Sequence, residues 1–271
     1  MINPSQASYT MEMTTSRRKF LQSSGALLLG AAASTSGVST AQSSASSPIG
    51  QDYWALVRSK FAFSEATVPM NAANLCPSFR AVAETVGTLT YDIDRDCSFN
   101  NRAKFRDLLE HSRQLVAEQL NVSATEIALV RNTSEANNIV NNGLNLNKGD
   151  EVLIWDQNHP TNNVAWDVRA ARFGLVVNKV SSPDKPATKQ ALIDTFTSQF
   201  TPRSRVLSIT HVSNVSGIKL PVKEIVAAAH AKQIYVHVDG AQVWGAMSLD
   251  LKDLDVDSFA ASAHKWYMGP K

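Results

Sequence analysis

Cysteine is scarce in this chain. Cys76 and Cys97 are the only two, too few for a disulfide framework or a four-thiolate metal site. Charge of one sign is also missing: 26 Lys and Arg against 24 Asp and Glu leave a formal net charge of +2, with the two signs interspersed. That pattern is unlike the one-sided basic surface that phosphate backbones select, so no nucleic-acid partner is expected. There is no internal repeat. The apolar run near residues 25–33 is short and interrupted by Ser and Gly, which excludes a stable membrane span. What remains is an ordinary globular composition, 44% hydrophobic over 271 residues, enough for one large domain or two small ones.

The amino-terminal residues are a different material from the rest. SRRKFLQ, 16–22, is followed by a weakly apolar stretch and then by small residues. The paired Arg17 and Arg18 with Phe20 and Leu21 resemble a twin-arginine export signal. Residues 1–41 are therefore expected to be a signal peptide, with Ala41 or Ala33 satisfying the small-x-small cleavage rule. Residues 42–50 read as a Ser-rich linker. The implied location is periplasmic or secreted, reached after folding in the cytoplasm.

From Gln51 onward, helix-period and strand-like segments alternate, the mark of an α/β fold whose mostly parallel sheet carries helices on both faces. Phe105, Leu108, Leu109, Leu115, Val116 and Leu120 recur at three- and four-residue steps and predict a helix over 102–120 with a buried face. Strands are expected at IALV (127–130), EVLIW (151–155), LVVNKV (175–180), RVLSITHV (205–212), IYVHVD (234–239) and DSFAASA (257–263),. Helices are expected near 134–142, 161–173, 189–199 and 222–232, with Pro221 in the first turn of the last.

In such a sheet the carboxyl ends of the strands share one edge, where ligands bind. Almost every predicted strand here ends in chemically capable residues. Thr133 and Ser134 open a helix, whose unpaired N–H groups suit a phosphate, and Ser262 and His264 on another strand's ending could add hydrogen bonds to it. Asp239 closes an apolar strand, and a buried carboxylate needs a cationic or donor partner, such as a protonated pyridine nitrogen. Lys265 follows an apolar strand, where partial dehydration favours the neutral, nucleophilic amine. Phosphate cradle, carboxylate and amine together describe pyridoxal 5'-phosphate (PLP).

In order along the chain, Thr133-Ser134-Glu135-Ala136, Asn158-His159-Pro160, His211-Val212-Ser213-Asn214, Asp239-Gly240-Ala241-Gln242 and Ser262-Ala263-His264-Lys265-Trp266 resemble the cofactor motifs of class V aminotransferases. Within that class the chain is most similar to isopenicillin N epimerase-like proteins and more distantly to cysteine desulfurases. The resemblance implies the large domain of PLP-transferase fold type I over 51–271, and a PLP enzyme acting at the α-carbon of an amino acid or amino-acid-bearing metabolite. Lys265 would bind the cofactor aldehyde covalently and shuttle a proton, Asp239 would hold the ring nitrogen's proton, and His159 would stack on the ring. Gln242 would meet the phenolic oxygen with Asn214 nearby, while Thr133, Ser134, Ser262 and His264 take the phosphate. Asn71-Ala72-Ala73 resembles a substrate-side loop. A homodimer is implied for the full-length protein.

Family members continue well past the equivalent of Lys265, so the small carboxyl-terminal domain is expected to be absent here, together with the substrate-gripping arginine and the desulfurase cysteine. The resulting fragment is expected to expose apolar area. Cys76 and Cys97 are read as structural thiols or a disulfide. Two rival readings use the same residues: a metallohydrolase built on His237 and Asp239 with His159, His211 or His264, and a non-catalytic PLP-binding fragment.

Overall fold

The computed structural model describes residues 50–64, 66–183, 185–186 and 188–271. The export signal and all of the expected linker except Gly50 lie outside the described residues. Strands β1 (Glu151–Trp155), β2 (Val176–Val180), β3 (Ser204–Thr210), β4 (Tyr235–Asp239) and β5 (Ser258–Ala260) form one sheet in the order β2-β1-β3-β4-β5. Every pairing is parallel. Helices α1 (Gln51–Ser59), α2 (Arg80–Arg95), α3 (Phe99–Leu120) and α4 (Thr133–Gly143) precede the sheet. Between and after the first strands come α5 (Pro160–Phe173), α6 (Lys189–Thr197), α7 (Val222–His230) and the single turn α8 (Leu251–Leu254).

The strand order reverses once, between β1 and β3, and the connecting helices lie on opposite faces of the sheet,. The core divides accordingly. Val152, Ile154 and Val206 pack with Trp166 of α5. On the other face Leu153, Trp155, Leu207, Ile209, Val236 and Val238 pack with Leu192 and Phe196 of α6 and with Ile225 and Val226 of α7. Covered on both sides, β1 is buried at all five positions, which is why VLIW, after Glu151, reads as an uninterrupted apolar run rather than an alternating one. On the α4–α5 face the same strands carry Ser208, His237 and Asp239, so one sheet surface turns from apolar to polar toward its carboxyl edge.

Local signals set the helix limits. Ser98 caps α3, Asn132 caps α4 and Thr188 caps α6, each side chain accepting a backbone N–H of the first turn,. Pro160 stands in the first turn of α5, and Gly174 ends that helix at φ 73°,.

Three expectations are corrected. IALV (127–130) forms no strand: a strand exists only through its ladder, and among the described residues this segment is hydrogen-bonded to neither sheet edge, leaving Leu129 44% and Val130 38% exposed. The helix predicted over 102–120 forms, but only Ala117 and Leu120 are buried, while Leu108, Leu109 and Leu115 are exposed. Its apolar stripe is therefore covered only toward its carboxyl end, at Leu120, among the described residues. Pro221 is the residue before α7 rather than within its first turn. Among the described residues no helix is long and apolar enough to cross a membrane.

Candidate active site

The site grows from the amino end of α4. Asn132 accepts the Glu135 N–H at 3.0 Å, and the Glu135 carboxylate accepts the Arg131 N–H at 2.6 Å, which fixes the turn that starts the helix. The Thr133 N–H donates to Ser262 Oγ at 2.9 Å, and the two hydroxyl oxygens are 2.5 Å apart. Ser262, two residues beyond β5, is thereby tied to the first residue of α4. The next amide, that of Ser134, has no partner among the described residues, so a free N–H stands at the positive end of the helix dipole, where an anion oxygen is favoured.

The carboxylate sits one strand away. Asp239, 2% exposed, accepts the Asn137 side-chain amide at Oδ2 (2.9 Å) and the Ala241 N–H at Oδ1 (3.0 Å). Thr210, its register partner on β3, has a buried hydroxyl with no partner among the described residues. The Lys265 amine is pushed below its ordinary pKa by burial, against an opposing pull from the Asp239 carboxylate. A partly buried amine within electrostatic reach of a buried carboxylate gives one group able to attack a carbonyl and one able to hold a proton on a ring nitrogen.

Glycines let these elements approach. A Cβ on Gly240 would lie 1.8 Å from Cζ of Phe259, and one on Gly245, at φ 88°, would lie 2.5 Å from the Tyr267 nitrogen. Without those atoms the turn after β4 fits under β5, and Trp244 stacks on Tyr267 with centroids 4.2 Å apart. The segment before α2 closes over the same loop. Cys76 N–H donates to the His264 carbonyl at 3.1 Å, and Ser78 Oγ donates to the Gly269 carbonyl at 2.8 Å. Gln242 joins both sides, donating to the Ala73 carbonyl at 3.0 Å and accepting from Trp266 Nε1 at 2.8 Å.

Most of the residues singled out from sequence therefore converge. Thr133 and Ser262 touch; Asp239 and Lys265 are electrostatically coupled; Gln242 borders Lys265 through Trp266. His159 caps α5, its Nδ1 lying 2.8 Å from Thr161 Oγ1, which is itself 3.3 Å from Ser134 Oγ. The His264 imidazole is half-buried and shifted toward its neutral form, first by burial and then by the Lys265 charge. Asn214 is exposed in a turn, and no hydrogen bond among the described residues joins it to the others. Of the Asn71–Ala73 loop, Ala73 reaches the site through Gln242.

Cys76 and Cys97 are both free, so the disulfide alternative is corrected. Burial raises the Cys76 thiol pKa, the opposite of what activates a thiolate nucleophile. The metal reading finds no geometry among the described residues, where no group of three His, Cys, Asp or Glu side chains could hold an ion. Both His237 nitrogens are engaged, Nδ1 with Ser258 Oγ at 2.7 Å and Nε2 with Asn137 Oδ1 at 2.9 Å.

Sequence reading passed over Asn137. A signal was present: Thr133, Asn137 and Asn141 are the buried residues of α4 and recur every four positions, a polar stripe where a sheet-facing helix ordinarily carries apolar residues.

The profile of the family described as Aminotransferase class-V matches residues 95–271. A cysteine desulfurase from Klebsiella pneumoniae is 38% identical over 167 residues, covering 60% of this chain and 40% of that protein. An isopenicillin N epimerase from Amycolatopsis lactamdurans is 29% identical over 220 residues, covering 80% and 55%. A solved structure of the cystine C–S lyase C-DES, with glycine covalently linked to its PLP cofactor, superposes with a TM-score of 0.68 at 26% identity, covering 73% of this chain and 53% of that one. The chain thus spans about half the length of the relatives it matches. The amine, the buried carboxylate, the unpaired Thr210 hydroxyl and the open helix terminus fit PLP as a donor set, and the fold is that of the type I PLP enzymes.

Proposed function

From the premise that the chain belongs to the aminotransferase class-V family, we propose that it is the PLP-binding part of an enzyme acting at the α-carbon of an amino acid or amino-acid-bearing metabolite. The observation that carries this reading is a partly buried Lys265 amine, held below its ordinary pKa by burial and within the field of the buried Asp239 carboxylate, beside the Thr133–Ser262 contact at the amino end of α4. When bound, PLP supplies an electron sink for the pair left behind as a bond to the substrate α-carbon breaks. Lys265 would hold the cofactor at its aldehyde carbon, and its amine would be the group that moves the proton at the substrate α-carbon. Asp239 keeps the ring nitrogen protonated by charge. Thr133, Ser134, Ser262 and His264 hold the phosphate oxygens by hydrogen bonds, while His159 covers the ring face and excludes water. Gln242 already uses its carbonyl and one amide hydrogen, so it has one further hydrogen to offer the phenolic oxygen, and Asn214 would be its neighbour there.

Removing or moving an α-proton serves epimerisation, transamination and elimination alike. Epimerase and desulfurase relatives at 29% and 38% identity support both lines. The export motif at Arg17 and Arg18 supports a periplasmic or secreted protein that meets its substrate outside the cytoplasm, and a homodimer is proposed for the full-length protein. The test is borohydride reduction of the PLP-loaded protein, followed by peptide mass mapping. The reduced adduct is expected on Lys265 and nowhere else. An adduct on another lysine, or none with PLP in excess, would overturn the reading.

A further inference from the structure

Behind Asp239 lies a chain of side chains that the reaction itself does not use. His237 and Asp239 stand at i and i+2 of β4, on the face covered by α4. The single carboxamide of Asn137 spans them, with Nδ2 2.9 Å from Asp239 Oδ2 and Oδ1 2.9 Å from His237 Nε2. His237 pairs in register with Ser258 of β5, and their side chains meet at 2.7 Å between Nδ1 and Oγ. Asn137, His237 and Asp239 are buried.

Chemistry dictates the direction of the bonds from Asp239 through Asn137 to His237. An ionised carboxylate only accepts, so Asn137 donates through Nδ2 and must accept through Oδ1. His237 must therefore carry its hydrogen on Nε2. Burial favours the neutral ring, whose bare Nδ1 then accepts the Ser258 hydroxyl hydrogen. Reversing Asn137 or moving the hydrogen off Nε2 would set two acceptors or two donors face to face. With Asn137 on one oxygen and the Ala241 N–H on the other, the carboxylate cannot rotate, and its remaining lone pairs have fixed directions.

We propose that Ser258, His237 and Asn137 form a donor relay that positions Asp239 toward the cofactor ring, with the Nε2–H tautomer of His237 setting its polarity. The inference rests on the PLP reading, and His237 and Ser258 are positioning residues, not catalytic ones. It concerns specificity of orientation: a fixed carboxylate meets the ring nitrogen without first reorganising.

Two measurements on the full chain test it separately from that reading. First, long-range 15N–1H correlation spectra of the cofactor-free protein should show His237 as a neutral imidazole protonated at Nε2. A Nδ1–H ring or an imidazolium would overturn the relay whether or not PLP binds. Second, PLP dissociation rates and the pH titration of the bound cofactor's absorbance should be compared for wild type, His237→Leu, His237→Gln and Ser258→Ala. Glutamine can place an amide hydrogen where Nε2–H stood, so it should restore most of what leucine loses. Losing one hydrogen bond to a buried charged network should speed dissociation by roughly ten- to a hundredfold in His237→Leu, with a shifted titration. Ser258→Ala, which removes one hydroxyl, should shift both in the same direction by less, and remains informative should His237→Leu not fold. Equal behaviour of the glutamine and leucine variants, or unchanged titrations in all three, would refute the relay. If wild type takes up no PLP, the functional reading falls, and the relay's role falls with it.

Discussion

Lowering the pH from about 7 to about 5 sets two buried imidazoles against the fold. His211 and His237, 5% and 1% exposed, are both pushed from 6.5 down to about 4. For His211 the causes are burial and then the Lys219 charge; for His237, burial outweighs the opposing pull of Asp239. The unfolded chain binds a proton on each near 6.5, while the folded chain stays neutral until about 4. Stability from this source is therefore complete above the unfolded value, declines as pH falls through the window between the two values, and is fully lost below the folded one. At pH 5 the loss comes to about 2 kcal/mol per histidine and roughly 3–4 kcal/mol for the pair. That is a large share of the 5–15 kcal/mol typical of a whole domain.

Carboxylates do not mask the effect. Asp92, Asp96, Glu135, Glu224 and Asp250 are held below their ordinary values, chiefly by hydrogen bonds. Their contribution is present above the unfolded carboxylate pKa and is lost only at more acid pH, and all five are near the surface, where solvent screens them. Urea unfolding of the cofactor-free protein, followed by fluorescence of the buried Trp155 and Trp166, measures the difference between the two pH values. His211→Gln and His237→Gln should each remove a comparable share of it, and the double variant most, leaving the part that the lowered His264 contributes,. A wild-type loss under about 1 kcal/mol, or a full loss persisting in the double variant, would refute the argument.

Three further outcomes are expected. Lys265→Met should raise the Tm of the cofactor-free protein, because the charged amine is disfavoured by burial; correspondingly, wild-type stability should rise as pH climbs through the depressed folded pKa toward the unfolded value, and a lower Tm in the variant would contradict both. Gly240→Ala brings a methyl to 1.8 Å from Phe259 Cζ, so urea unfolding should show a loss of about 3 kcal/mol or more, partly recovered by adding Phe259→Ala. Ser98→Ala removes the 3.1 Å bond to the Asn101 N–H that caps α3 and should lower the unfolding free energy by about 1 kcal/mol.

How much of this was legible depended on whether the signal was local. The parallel strands could be read because burial on both faces writes itself as an unbroken apolar run, as in VLIW, 152–155, of β1,. Asp239 and Lys265 could be read because one ends an apolar strand and the other follows one by five residues, where an ionisable group demands a reason. IALV has the same composition but forms no ladder, since pairing depends on a neighbour that its own four residues cannot specify. The stripe on α3 misled for a related reason: periodicity predicts an apolar face, not what covers it. Asn137 escaped because asparagine inside a helix is ordinarily a surface residue, and only its spacing from Thr133 and Asn141 marks the face turned to the sheet. That spacing has a physical basis. A helix packed on the polar end of a parallel sheet must answer the sheet's unpaired groups with its own, and on α4 the answering residue bridges His237 and Asp239 by bonds of equal length. A polar repeat of four on a helix between two buried segments is thus a signal for a buried site, readable without knowing the ligand.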